Sequence, residues 1–79
     1  MSDRTQYVVT PADRAVPAIR VVATDLVDLG AQVAAHLTRH RRLTRGVPYD
    51  AEVGDARGFI RQAGLRQPVA FTIVQEDPR

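Results

Sequence analysis

No feature of this sequence constrains its fold more than the apolar run from Val16 to Leu43. On a seven-residue grid the run reads Val16, Ile19, Ala23, Leu26, Gly30, Val33 and Leu37, with His40 closing it. Val22, Val27, Leu29, Ala34 and Leu43 widen the apolar face, while Asp25, Asp28, Gln32, Arg39 and Arg42 mark the opposite side. Acids fall in the first half and Arg39, Arg41 and Arg42 at the end, as a helix dipole favours. The pattern predicts one long amphipathic helix over 16–43, entered through Asp13 as a cap and Pro17 in the first turn.

Continuous from Pro17 to His40, such a helix would be ~36 Å long at ~1.5 Å per residue, whereas a domain of 79 residues has a diameter of about 30 Å. A continuous helix therefore spans the domain or overhangs it. The alternative is a break at Gly30 after Asp28-Leu29. The grid keeps its phase across Gly30, which favours one helix, bent there if anywhere.

The flanking segments complete a β-α-α-β order. Gln6–Thr10 is β-branched and aromatic and stops at Pro11, so it reads as a first strand. Thr44–Tyr49 is a loop, with Gly46 and Pro48 preventing the helix from continuing. Asp50 then caps a second, shorter helix to Gly64, with Val53, Ala56, Ile60 and Ala63 inward; a start at Asp55 is the alternative, because Gly54 and Gly58 each weaken a helix by roughly 1 kcal/mol. Val69–Gln75 alternates and forms the last strand. The expected fold is α+β: both helices on a small sheet of the N- and C-terminal strands, in a single domain over 1–79 with loose ends at 1–5 and 76–79. Two strands make a marginal sheet, which dimerisation would extend.

Composition bounds the functional classes. With 44% hydrophobic and 25% charged residues the chain is of globular type, and without cysteine it has no disulfide or zinc–thiolate support. Oligomerisation is the remaining common reinforcement for so small a core. Met1–Thr10 has no apolar signal-peptide core, and no run of apolar residues reaches membrane length, so a cytoplasmic protein without membrane contact is expected. Every strong base is arginine, which reads as the codon bias of a GC-rich, bacterial-type genome. The charge is nevertheless uneven: of a net +2, residues 39–66 hold seven arginines against Asp50, Glu52 and Asp55.

Candidate chemistry is sparse. His36 and His40 share a helix face at metal-ligand spacing, yet a third ligand is lacking, so partly buried structural histidines are the simpler reading and no metal is expected. Asp25 and Asp28 can pose as a carboxylate pair but face away from the apolar grid. Ser2 is the only serine, and there is no phosphate-binding glycine loop. Neither catalysis nor a cofactor is expected. The arginines Arg39, Arg41, Arg42, Arg45, Arg57 and Arg61, extended by Arg66, can grip phosphates or an acidic partner; their plainer reading is a solvated helix terminus. Val22, Leu26, Leu29, Val33 and Leu37 form a possible self-association face. These features describe a small, non-catalytic interaction or regulatory protein, homodimeric, with a nucleic-acid-binding regulator using Arg39–Arg66 as the alternative.

Overall fold

The computed structural model describes residues 4–76. Over that span the elements are β1 (Thr5–Pro11), β2 (Ile19–Ala23), α1 (Leu26–Arg39), β3 (Tyr49–Val53), β4 (Arg57–Gln62) and β5 (Val69–Glu76). All five strands join one antiparallel sheet in the order β2-β1-β5-β4-β3. The sheet curls into a half-barrel, and α1 packs against both of its edge strands, β2 and β3, so that it lies across the open side.

The expected β-α-α-β fold is therefore corrected to a mostly β fold with one helix. Strands do lie where the terminal ones were expected, and they pair as β1 and β5. The helix over 16–43 contracts to 14 residues. Its first third is strand β2, in which Val21 and Ala23 turn inward while Arg20 and Val22 face solvent. Alternation with β-branched residues fits a strand better than a helix, and pairing with β1 decides the matter. The second helix does not exist: residues 50–64 form the β3–β4 hairpin and part of the following turn. Within β4, Gly58, Ile60 and Gln62 are buried while Arg57 and Arg61 are exposed. Of the expected loose ends, 1–3 and 77–79 lie outside the described residues, and Thr5 and Glu76 belong to strands.

The helix starts at Asp25 and not near Asp13. Asp25 Oδ1 accepts from Asp28 N at 2.8 Å, and Asp28 Oδ2 accepts from Thr24 N at 3.1 Å, a reciprocal cap that satisfies two donors. The two carboxylates thus serve the helix end. Asp13 instead accepts from Ala15 N at 2.9 Å in the β1–β2 connection. Replacing Asp25 with alanine is expected to cost about 1 kcal/mol, seen as a lower urea midpoint at constant slope. An unchanged midpoint would mean that Asp28 holds the helix start alone.

At the other end Arg42 N donates to Leu37 O at 2.8 Å and Arg41 N to Thr38 O at 3.0 Å, with Arg41 at φ 61°. This is a Schellman closure with arginine in the left-handed position that glycine usually holds. Gly30 does not break the helix. A Cβ there would lie 3.2 Å from Val53 Cγ2 and 3.4 Å from Ala51 Cβ, so glycine lets α1 approach β3 closely.

The core gathers Val9, Val21, Leu29, Val33, Leu37, Ile60 and Phe71, each no more than 1% exposed. The curl accounts for the wide apolar face of α1. A flat two-stranded sheet covers one stripe of a helix, whereas a half-barrel touching it from both edges covers a broad arc. His36 is buried as well, and its Nε2 lies 2.9 Å from Pro17 O, tying the β1–β2 connection to the helix.

Candidate functional site

The two edges of the sheet differ in what their outward backbone meets. Ladder hydrogen bonds alternate along an antiparallel pair, and Gly54 N donates to Arg57 O at 2.9 Å, which marks 54/57 as a bonded pair. Counting along the register of β3 on β4, Glu52/Phe59 and Asp50/Arg61 are then also bonded pairs. The backbone groups of Tyr49, Ala51 and Val53 therefore point away from the sheet. The same alternation across β5 and β1 turns Val22 outward on β2, where Val22 O accepts from Gln32 Nε2 at 2.8 Å. No hydrogen bond from the described residues reaches the outer edge of β3.

Beside that edge runs a groove of about 320 Å³ between α1 and β3, lined by Leu26, Val27, Gly30, Ala31, Tyr49, Ala51 and Val53. All seven side chains are apolar or aromatic, or absent as in glycine. Val27 is 83% exposed and Tyr49 41%, so the rim offers apolar surface to solvent. On the opposite face of the same strand Asp50 and Glu52 are exposed. Among the described residues neither joins an ion pair. Arg61, which pairs with Asp50 in register, lies instead over the Phe59 ring at 4.8 Å.

A larger hollow, of about 770 Å³, lies at the β3–β4 turn and is lined by residues including Glu52, Asp55, Arg57, Phe59 and Phe71. Volume does not choose between the two. The smaller one follows the full length of a strand whose outward backbone is unpaired among the described residues.

The arginines do not form one patch. Arg39 and Arg45 line a cleft of about 390 Å³ on one side of Tyr49, and Arg61 and Arg66 line another of about 460 Å³ on its other side, with Asp50 among them. Arg57 stands at the far end of β4, in the hollow at the turn. The Arg42 Nε lies 2.5 Å from Asp13 Oδ2, a charge contact without hydrogen-bond alignment. Arg41 is exposed at the helix closure. Of the possible self-association face, Leu29, Val33 and Leu37 are fully buried in the chain's own core, Leu26 is half-buried, and Val22 is exposed on the outer face of β2. The rings of His36 and His40 meet edge to face at 4.6 Å, and among the described residues no three His, Cys, Asp or Glu side chains gather as metal ligands. No helix of the described residues is long and apolar enough to cross a membrane.

Gln62 was not anticipated as a key residue. It is buried, and its amide makes three hydrogen bonds to the α1–β3 loop: Oε1 accepts from Thr44 N at 2.7 Å, and Nε2 donates to Thr44 O and Val47 O at 3.0 Å each. The loop that carries Arg45 and leads into β3 is thereby fixed to β4. Nothing in the sequence marks this residue except an amide at an inward position of an alternating run.

Fold and site together define a small antiparallel half-barrel closed by one helix, in which no hydrogen bond from the described residues reaches the outward backbone of the β3 edge. Compared with family models, curated proteins and solved structures, the chain matches none.

Proposed function

We propose that this chain is a small, non-catalytic interaction module that takes an extended segment of another protein as an added strand on β3. The observation carrying this reading is the unpaired outward backbone of Tyr49, Ala51 and Val53 alongside an apolar groove. In strand addition, main-chain hydrogen bonds supply affinity, while pockets beside the strand select alternate side chains. Five residues of edge make a small interface, so dissociation constants on the order of 10 μM are expected.

A second copy is the competing occupant. Two β3 strands related by a two-fold axis at Ala51 set Asp50 of one copy against Glu52 of the other, and like charges directly opposite are destabilising. The sheet already has five strands within one chain, which removes the need for a dimer to complete it. A nucleic-acid reading draws on Arg39, Arg45, Arg61 and Arg66 around the exposed Tyr49. It is the weaker one, since Asp50 sits among these arginines, Arg42 is engaged by Asp13 and Arg57 lies elsewhere.

Ala51→Pro separates docking from folding. The Ala51 N–H faces away from β4, so proline there removes no ladder bond, and edge strands tolerate it. The variant is expected to keep its far-ultraviolet circular dichroism. In selections from a displayed random-peptide library, the wild type should enrich extended segments and the variant should not. A folded variant that selects the same peptides would sink the proposal.

A further inference from the structure

We infer that the segment accepted by β3 is basic on one face and small and apolar on the other, alternating residue by residue. This rests on the strand-addition reading and adds to it the chemistry of the partner. In an antiparallel addition, side chains directly opposite Tyr49, Ala51 and Val53 share their face of the sheet and enter the groove, whereas those opposite Asp50 and Glu52 project on the outer face.

The groove sets the size of the inward residues. Gly30 already packs close to Ala51 and Val53, so what remains is a groove of about 320 Å³ flanked by the exposed Val27, Ala31 and Tyr49, which takes small apolar side chains. The outer face sets the charge. Asp50 and Glu52 are exposed and without an ion pair among the described residues, because the guanidinium opposite Asp50 in register is stacked on Phe59. An arginine or lysine opposite each acid meets a carboxylate at cross-strand distance, ~5 Å between Cβ atoms, while an acidic segment meets repulsion at both. The chain's other edge is a poor substitute, its Val22 carbonyl being occupied by Gln32. The selectivity therefore works against a second copy of β3 and for a basic partner.

The test is an amide-resolved NMR titration of the full chain with three blocked peptides of about seven residues. One alternates arginine and valine, one alternates glutamate and valine, and one is the arginine peptide with its strand-pairing amides N-methylated. The arginine peptide is expected to shift Tyr49, Ala51, Val53, Val27 and Gly30 saturably and to bind about tenfold tighter than the glutamate peptide, from two reversed charge pairs of ~0.7 kcal/mol each. The N-methylated peptide should lose this binding. The double variant Asp50→Asn, Glu52→Gln, which changes only exposed side chains, should reduce the tenfold preference to about twofold. Equal binding of the arginine and glutamate peptides to β3 would overturn the basic-partner inference and leave edge docking standing. If no peptide shifts β3, both fall. Unchanged binding after N-methylation would show charge attraction without strand pairing, and overturns the inference too.

Discussion

Gly58→Ala is expected to destabilise the chain by roughly 3 kcal/mol, out of a total on the order of 4–12 kcal/mol for a domain of this size. The cause is steric. A Cβ at Gly58 would lie 2.6 Å from Glu52 O and 2.8 Å from Phe71 Cζ, and neither can step aside. Glu52 O belongs to the β3 backbone, and Phe71 is a core ring, 1% exposed, paired with Gly58 across β4 and β5. Alanine is otherwise the better strand residue, by roughly 0.5–1 kcal/mol, so propensity alone predicts the opposite sign. Gly64→Ala is the control: its Cβ meets nothing within 4 Å, but its φ of +95° disfavours a side chain, for about 1 kcal/mol. Urea titration of the two variants should place Gly58→Ala well below Gly64→Ala. A Gly58→Ala midpoint at or above the wild type would mean that β3 and Phe71 can separate without cost.

Gln62→Leu is the second large effect, about 2–3 kcal/mol. The side chain is 8% exposed, and its three hydrogen bonds pair with Thr44 N, Thr44 O and Val47 O. Leucine fills similar volume but leaves those backbone groups unpartnered beside the core, and water reaches only some of them from the exposed loop. Local release should accompany the lost stability, as faster amide exchange over Thr44–Val47 with β1 and β5 unchanged. Gln62→Glu sharpens the test. Its carboxylate retains the bond from Thr44 N but turns a second oxygen toward two carbonyls. The protonated form donates one hydrogen bond to these carbonyls where the amide donates two, so folding raises the pKa of this carboxyl above its unfolded value of ~4.3. Relative to wild type, the variant should be least impaired below pH ~4 and lose stability as the pH rises from there through the raised value of the folded state. A flat difference between pH 4 and 8 would show that the carboxylate finds other partners.

If the proposed docking on β3 is right, it depends on both residues. Gly58 lets β3 lie close on β4, and Gln62 anchors the loop that delivers the chain to Tyr49. Their partial loss should weaken strand addition before it unfolds the domain, since the edge is the least supported part of the sheet.

Parts of this architecture were legible in the residues. Gln6–Thr10 and Val69–Gln75 read as strands, the first from β-branched and aromatic residues before Pro11 and the second from alternation. A helix was legible in the apolar spacing, but the structure confines it to Leu26–Arg39 and moves its cap from Asp13 to Asp25. The β2 residues were ambiguous: Ile19 and Ala23 fit a seven-residue grid as well as a two-residue one, and short apolar runs carry both periods. Arg20 and Val22, alternating with them, were the sign of a strand. In the β3–β4 hairpin, Gly54 and Gly58 weaken a helix without excluding one, and the alternation of buried Gly58, Ile60 and Gln62 with exposed Arg57 and Arg61 emerges only in the structure. The candidate edge had no mark in the sequence. Asp50-Ala51-Glu52 is an ordinary polar stretch until neighbouring strands decide which backbone groups are paired.

By itself, then, the sequence determined the two terminal strands and the presence of a helix within residues 16–43. Only the tertiary structure decided that residues 19–23, 49–53 and 57–62 are strands, that the broad helix face is covered from within, and that β3 is an edge whose outward backbone is unpaired among the described residues. The reason is that period, propensity and caps act over a few residues, whereas strand pairing, sheet curl and edge exposure follow from contacts between segments distant in the chain, such as Gly58 with Phe71 and Gly30 with Val53.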